Sequence, residues 1–131
     1  MQNINAQEAE EMLKQDAILL DVRTKPEFDA FHIDLNVLFV PHIEIEKAIK
    51  LIPNKDATIV VTCRSGKRGE YATNALINMG YTNVHNIAGG IIEFNNYLFN
   101  SGKISKEEYE KAKTTLEKRP DQALDTRQPR A

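Results

Sequence analysis

The stretch Thr58-Ile59-Val60-Val61-Thr62 constrains this chain most, because a short run rich in β-branched side chains fits a buried strand better than any helix. It is followed at once by Cys63-Arg64-Ser65-Gly66-Lys67-Arg68. Tyr71, Ala72, Ala75, Leu76 and Met79 then recur at helical spacing, and Gly80 stands where a helix C-terminus favours glycine. A strand, a tight loop and a helix therefore surround the chain's one cysteine.

The same alternation runs along the chain. Asn5 and Glu8 form a capping box opening a helix to about Gln15, and residues 17–22 are an apolar run that reads as a buried strand. Thr24 and Glu27 form a second box with Pro26 in the first turn of a short helix, and residues 37–40 make a strand stopped by Pro41. Ile45, Ala48, Ile49 and Ile52 form a helical stripe that Pro53 ends, and residues 53–56 have turn chemistry. Residues 83–87 form another strand, Gly89-Gly90 a turn, and residues 91–99 a short helix. Strands alternating with helices imply an α/β domain with a mainly parallel sheet and right-handed crossovers.

With 131 residues there is material for one core and a short appendage. Residues 1–102 are assigned to the domain and 103–131 to a C-terminal extension. In the extension Ser105 and Glu108 form a capping box, and Tyr109, Ala112 and Leu116 make a thin apolar stripe to about Lys118. The polar remainder, residues 119–131 with Pro120 and Pro129, is expected to be disordered. A net charge of -2 sets up no field for nucleic acid or an anionic membrane surface. No run approaches the roughly 20 apolar residues of a membrane span, and the N-terminus has neither a basic stretch nor an apolar segment, so a cytoplasmic location is expected.

One cysteine excludes an intrachain disulfide and a multi-thiolate metal site. His32, His42 and His85 lack metal-ligand spacing, so neither metal nor cofactor is expected. A lone cysteine is commonly a small buried hydrophobe. The surroundings of Cys63 argue otherwise. It sits at the carboxyl end of a strand, where open parallel sheets bind ligands. The loop enters a helix whose first amides have no intrahelical partner, and Gly66 with Gly69 lets such donors turn inward as an anion cradle. Arg64, Lys67 and Arg68 add positive charge, and cations and helix N-termini both favour a thiolate. The expectation is an ionised, accessible nucleophile.

Asp21-Val22-Arg23, Glu27-Phe28, His32-Ile33, the loop of residues 63–68 and Gly89-Gly90, in this order, resemble the rhodanese (thiosulfate sulfurtransferase) homology domain over roughly residues 3–100. The resemblance implies a five-stranded parallel sheet flanked by helices, with the active-site loop between a central strand and the next helix. It implies that Cys63 takes the outer sulfur of thiosulfate, polysulfide or a persulfide and passes it to cyanide or a thiol. Backbone amides of residues 64–68, Ser65 and Gly66 included, would stabilise the charged sulfur. Arg64 and Lys67 would hold the donor's anionic end, and Arg68 would brace the loop by pairing with Glu27 or Asp21. Asp21 and Arg23 form either a strand-end ion pair or part of that support, and His32 is read as structural. Phe31, Leu35-Asn36, Gly69 and Phe94 depart from the family pattern, which leaves the shape of the neighbouring loop and the acceptor open.

Two rivals remain. Cysteine phosphatases of related architecture also cradle an oxyanion, but their Cys and Arg lie one position further apart than Cys63 and Arg68, which suits a tetrahedral phosphate. A sulfur carrier or sulfide-responsive module that delivers its persulfide to a partner protein fits the single cysteine, since no second thiol in the chain can resolve a persulfide. The helix at about residues 105–118 would dock on such a partner, on a second copy in a homodimer, or back on its own domain in a monomer.

Overall fold

The computed structural model describes residues 2–118. The strands β1 (Gln2–Ile4), β2 (Ile18–Asp21), β3 (Val37–Phe39), β4 (Ile59–Thr62) and β5 (Val84–Ile87) form one parallel sheet in the order β1-β5-β4-β2-β3. The β-branched run is β4, the central strand, with Ile59 opposite Ile18 of β2 and Val84 of β5. All its residues are buried, as a strand covered on both faces requires.

Alternation of side chains along β4 divides the core in two. Ile59 and Val61 join Leu20, Val40, Ile45, Ala72 and Leu76 on one face, beneath α3 (Ala48–Leu51) and α4 (Lys67–Asn78). Val60 joins Ile4, Leu19, Ile87, Ile91 and Phe94 on the other, beneath α1 (Ala6–Lys14) and α5 (Gly90–Asn100). The short α2 (Lys25–Ala30) follows β2, and α6 (Lys106–Lys118) lies on α5. Leu116 enters the α5 core, the Tyr109 and Phe99 rings stack at 4.5 Å, and the Tyr109 hydroxyl donates to Asn96 Oδ1 at 2.9 Å. The extension's helix thus packs back on its own chain, while the tail at 119–131, expected to be disordered, lies outside the described residues.

All three capping boxes form, at Asn5/Glu8, Thr24/Glu27 and Ser105/Glu108. Three features differ from the sequence pattern. β1 is not announced by it: three residues become a strand because β5 offers an edge, with Ile4 pairing Ile87. The expected helix through residues 45–52 is divided between a 3-10 stretch, His42–Lys47, itself kinked at Glu44 (φ -121, ψ 31), and the one-turn α3. Ile45, Ala48 and Ile52 are buried as the stripe requires, whereas Ile49 is exposed. Tyr71, expected on the core face of α4, is also exposed, for a reason that the site makes clear.

Candidate active site

Cys63 follows β4 directly, at the carboxyl edge of the sheet. Its Sγ accepts hydrogen bonds from the backbone N–H of Gly66 at 3.0 Å and of Gly69 at 3.2 Å. Both donors come from the entry to α4, whose first-turn amides have no intrahelical acceptor. Gly66 caps that helix at φ +113, a region costly for any residue with a Cβ. The anion cradle is therefore built, with Gly69, one residue past the six-residue loop, as a donor.

The expectation of an accessible thiol needs correcting. Cys63 is 1% exposed and shares the inner core with Val61, Ala72 and Leu20. The sulfur thus has two backbone N–H donors and a hydrophobic core as its surroundings.

The cradle is gripped from behind by α5. Ile91 N–H donates to the Cys63 carbonyl at 2.7 Å and Ile92 N–H to the Arg64 carbonyl at 3.3 Å. Gly89 lies in the expected turn at φ +80, and the contact accounts for Gly90: a Cβ there would lie 2.5 Å from the Cys63 carbonyl oxygen and 2.6 Å from that of Arg64. Asn86 of β5 adds a third hold, its Nδ2 donating to the Gly66 carbonyl at 3.2 Å.

Of the two acids considered for Arg68, Glu27 is its partner. The guanidinium makes a bidentate pair with that carboxylate, Nη1 to Oε1 at 2.7 Å and Nη2 to Oε2 at 2.9 Å. Glu27 Oε1 also accepts from Thr24 N–H and Oγ1, so the capping box of α2 is locked to the Cys63 loop. Burial alone would raise the Glu27 pKa, but the hydrogen bonds and charge of Arg68 outweigh it and hold the carboxyl below its usual range. Asp21 instead takes Arg23 in a fully buried pair. His32 is structural, its Nδ1 on the Phe28 carbonyl at 2.9 Å and its ring stacked on Phe28.

Ser65 is exposed, and Arg64 Nε donates to the carbonyl of Leu116 at 3.0 Å, so the loop's first cation reaches the last turn of α6. Lys67 and Arg68 line a cleft of about 320 Å³ with His42, Ile43 and Tyr71. Tyr71 faces outward because it forms this wall, edge-on to His42 at 5.8 Å. Burial, then the charge of Arg68, holds the His42 pKa below the usual histidine range, so the imidazole meets the cleft uncharged at neutral pH. His42, Ile43 and Asn86 escape sequence reasoning, since only folding carries them to the loop.

Chemically, this is a sulfur atom held by two amides, flanked by cations, beside a small cleft. Among the described residues no group of three His, Cys, Asp or Glu is placed to hold a metal ion, and no helix is long and apolar enough to cross a membrane. The profile of the rhodanese-like domain matches residues 5–97. The chain is 30% identical over 97 residues to the tRNA uridine(34) hydroxylase of Photorhabdus laumondii, covering 70% of this chain and 27% of that protein. It is 38% identical over 84 residues to the adenylyltransferase and sulfurtransferase UBA4 of Candida albicans, covering 60% and 19%. It thus spans 27% and 19% of the length of these two curated relatives. The human single-domain sulfurtransferase TSTD1 superposes with a TM-score of 0.66 at 29% identity, over 73% of this chain and 96% of that one. Cradle, sheet order and profile agree: the chain belongs to the rhodanese-like domain family, a sulfurtransferase-type fold with a single cysteine at its loop.

Proposed function

We propose that this chain moves sulfane sulfur through a persulfide on Cys63. The Cys63 thiolate attacks the outer sulfur of thiosulfate, a sulfur–sulfur bond forms as the old one breaks, and sulfite leaves with the electron pair. The terminal sulfur of the resulting Cys63 persulfide carries the negative charge. A nucleophile then attacks that sulfur, giving thiocyanate from cyanide or a new persulfide from a thiol, and the Cys63 thiolate returns. Polysulfide or a small persulfide serves as donor by the same exchange.

The observation that carries this reading is the pair of amides, Gly66 and Gly69, aimed at one sulfur atom. Donors fixed in advance around developing negative charge need no reorganisation during reaction. Arg64, anchored on the Leu116 carbonyl, and Lys67 at the cleft supply positive charge for the donor's sulfonate. Arg68, through Glu27, keeps the loop in place. A phosphatase loop places its arginine one position further from the cysteine than Arg68 lies from Cys63, so the shorter loop favours sulfur over a bound phosphate.

Intact-mass measurement after incubation with thiosulfate, and separately with polysulfide, tests the chemistry. Wild type should gain one sulfur and Cys63→Ser none, and the serine variant should form no thiocyanate. Thiocyanate formation by Cys63→Ser would dispose of the mechanism. A second reading, delivery of the persulfide to a protein acceptor, is favoured by the lone cysteine, since no second thiol in the chain can resolve a persulfide. Turnover with small thiols as fast as with any protein thiol would count against it. The hydroxylase name of one relative adds a further reason to measure sulfur loading directly.

A further inference from the structure

We infer that Asn86 is a positioning residue that holds both amide donors of the sulfur cradle from the neighbouring strand. The inference rests on the reading that Cys63 Sγ is the reacting atom. Asn86 lies in β5 and is 1% exposed. Its Nδ2 donates to the Gly66 carbonyl at 3.2 Å and to Asn3 Oδ1 at 3.0 Å. Gly66 is thereby fixed at both ends, its carbonyl on Asn86 and its N–H on the sulfur. With no side chain to limit its dihedrals, Gly66 holds φ +113 only while its neighbours hold it there.

The other donor is tied to the same side chain. A Cβ on Gly69 would collide with Asn86 Oδ1 and stand 3.1 Å from Asn86 Cγ, so residue 69 is bare because Asn86 fills its side-chain space. Asn86 Oδ1 has no hydrogen-bond partner among the described residues, although it is buried. An apolar residue of that size would fill the gap without an orphaned carbonyl. The amide is explained by what its other end does, which is to pin the loop carbonyl behind the sulfur. The contact reaches 20 residues along the chain, from β5 to the entry of α4.

The test separates positioning from packing. Asn86→Ala should lower kcat for thiosulfate:cyanide transfer about tenfold while KM for thiosulfate stays within about twofold, and it should slow iodoacetamide alkylation of Cys63 by a similar factor. Gly69→Ala should lower both Tm and kcat, since its methyl displaces the Asn86 side chain. The double variant Gly69→Ala/Asn86→Ala should recover Tm relative to Gly69→Ala, because the clash is gone, yet keep the low kcat. Recovery of kcat together with Tm, or wild-type kcat in Asn86→Ala, would overturn the inference. If Asn86→Ala does not fold, Asn86→Leu carries the same expectation, being similar in bulk without the donor. Failure of the sulfur-transfer reading looks different: wild type then gains no sulfur, while the alkylation rates still report whether Asn86 governs the thiol's setting.

Discussion

Two arginine–carboxylate pairs flank the cradle, and they do different work. Arg23 and Asp21 are two residues apart, each 1% exposed, joined by Nε–Oδ1 at 2.9 Å and Nη2–Oδ2 at 2.7 Å. Arg23 Nη2 also donates to the Phe31 carbonyl at 2.7 Å, so this pair staples the end of β2 to the segment after α2. Glu27 and Arg68 are 41 residues apart, at 3% and 22% exposure, and join α2 to the first turn of α4. The first pair is wholly internal and supports the fold. The second retains contact with water and supports the site. An ion pair's sequence separation and residual exposure therefore say more about its role than its geometry, which is bidentate in both.

The contrast can be broken by removing one partner at a time. The largest effect should come from Arg23→Met, which leaves the Asp21 carboxylate buried without a counter-charge and with only the backbone N–H of residue 23 as donor; a loss of about 3–5 kcal/mol in urea unfolding is expected, with activity per folded molecule nearly unchanged. A loss below about 1 kcal/mol would mean that Asp21 finds water or another donor. Arg68→Ala should destabilise less, about 1–3 kcal/mol, because Glu27 keeps its Thr24 donors, but should lower kcat/KM at least about tenfold. If the two variants rank the other way in both measurements, the division of labour is reversed.

A smaller effect sharpens the comparison through pH. Because its pKa is depressed in the folded protein, Glu27 holds its proton more weakly there than in the unfolded chain. Its stabilisation is full above the ordinary glutamate value of about 4.3 and is lost as pH falls through the lower folded value. Unfolding free energy should therefore drop across that acid window in wild type and drop less in Glu27→Gln, as urea titrations at successive pH values would record. Identical slopes would assign the acid sensitivity to other carboxylates. The smallest effect is that of Arg64→Ala, expected to raise KM for thiosulfate about threefold with less change in kcat and to cost well under about 1 kcal/mol in stability. An unchanged KM removes Arg64 from the donor's path and leaves it as a tie to α6.

Much of this could be read before folding, and the legible parts share a scale. The capping boxes at Asn5, Thr24 and Ser105 depend on hydrogen bonds spanning three residues, and each formed. The strands from β2 to β5 were legible because a covered parallel sheet demands short apolar runs. The cradle was legible in part, because Gly66 lies three positions from Cys63 and acts through local geometry. Beyond one turn of chain the pattern fell silent. It left Arg68 a choice between Glu27 and Asp21, gave no sign of the contact that forbids a side chain at Gly90, and counted the exposed Tyr71 in the apolar spacing of α4.

What the amino-acid order determined by itself was the kind of structure and the location of its chemistry: an α/β sheet with its lone thiol at the tip of the central strand, ringed by glycine and cations. Tertiary structure alone decided how that thiol is held. It enclosed the sulfur, brought Glu27 to Arg68 across 41 residues, laid the first amides of α5 against the loop, and set Asn86 in the space that Gly69 leaves. The physical reason is range. Propensity, capping and periodicity act within a few residues, whereas close packing couples side chains that only the completed sheet makes neighbours.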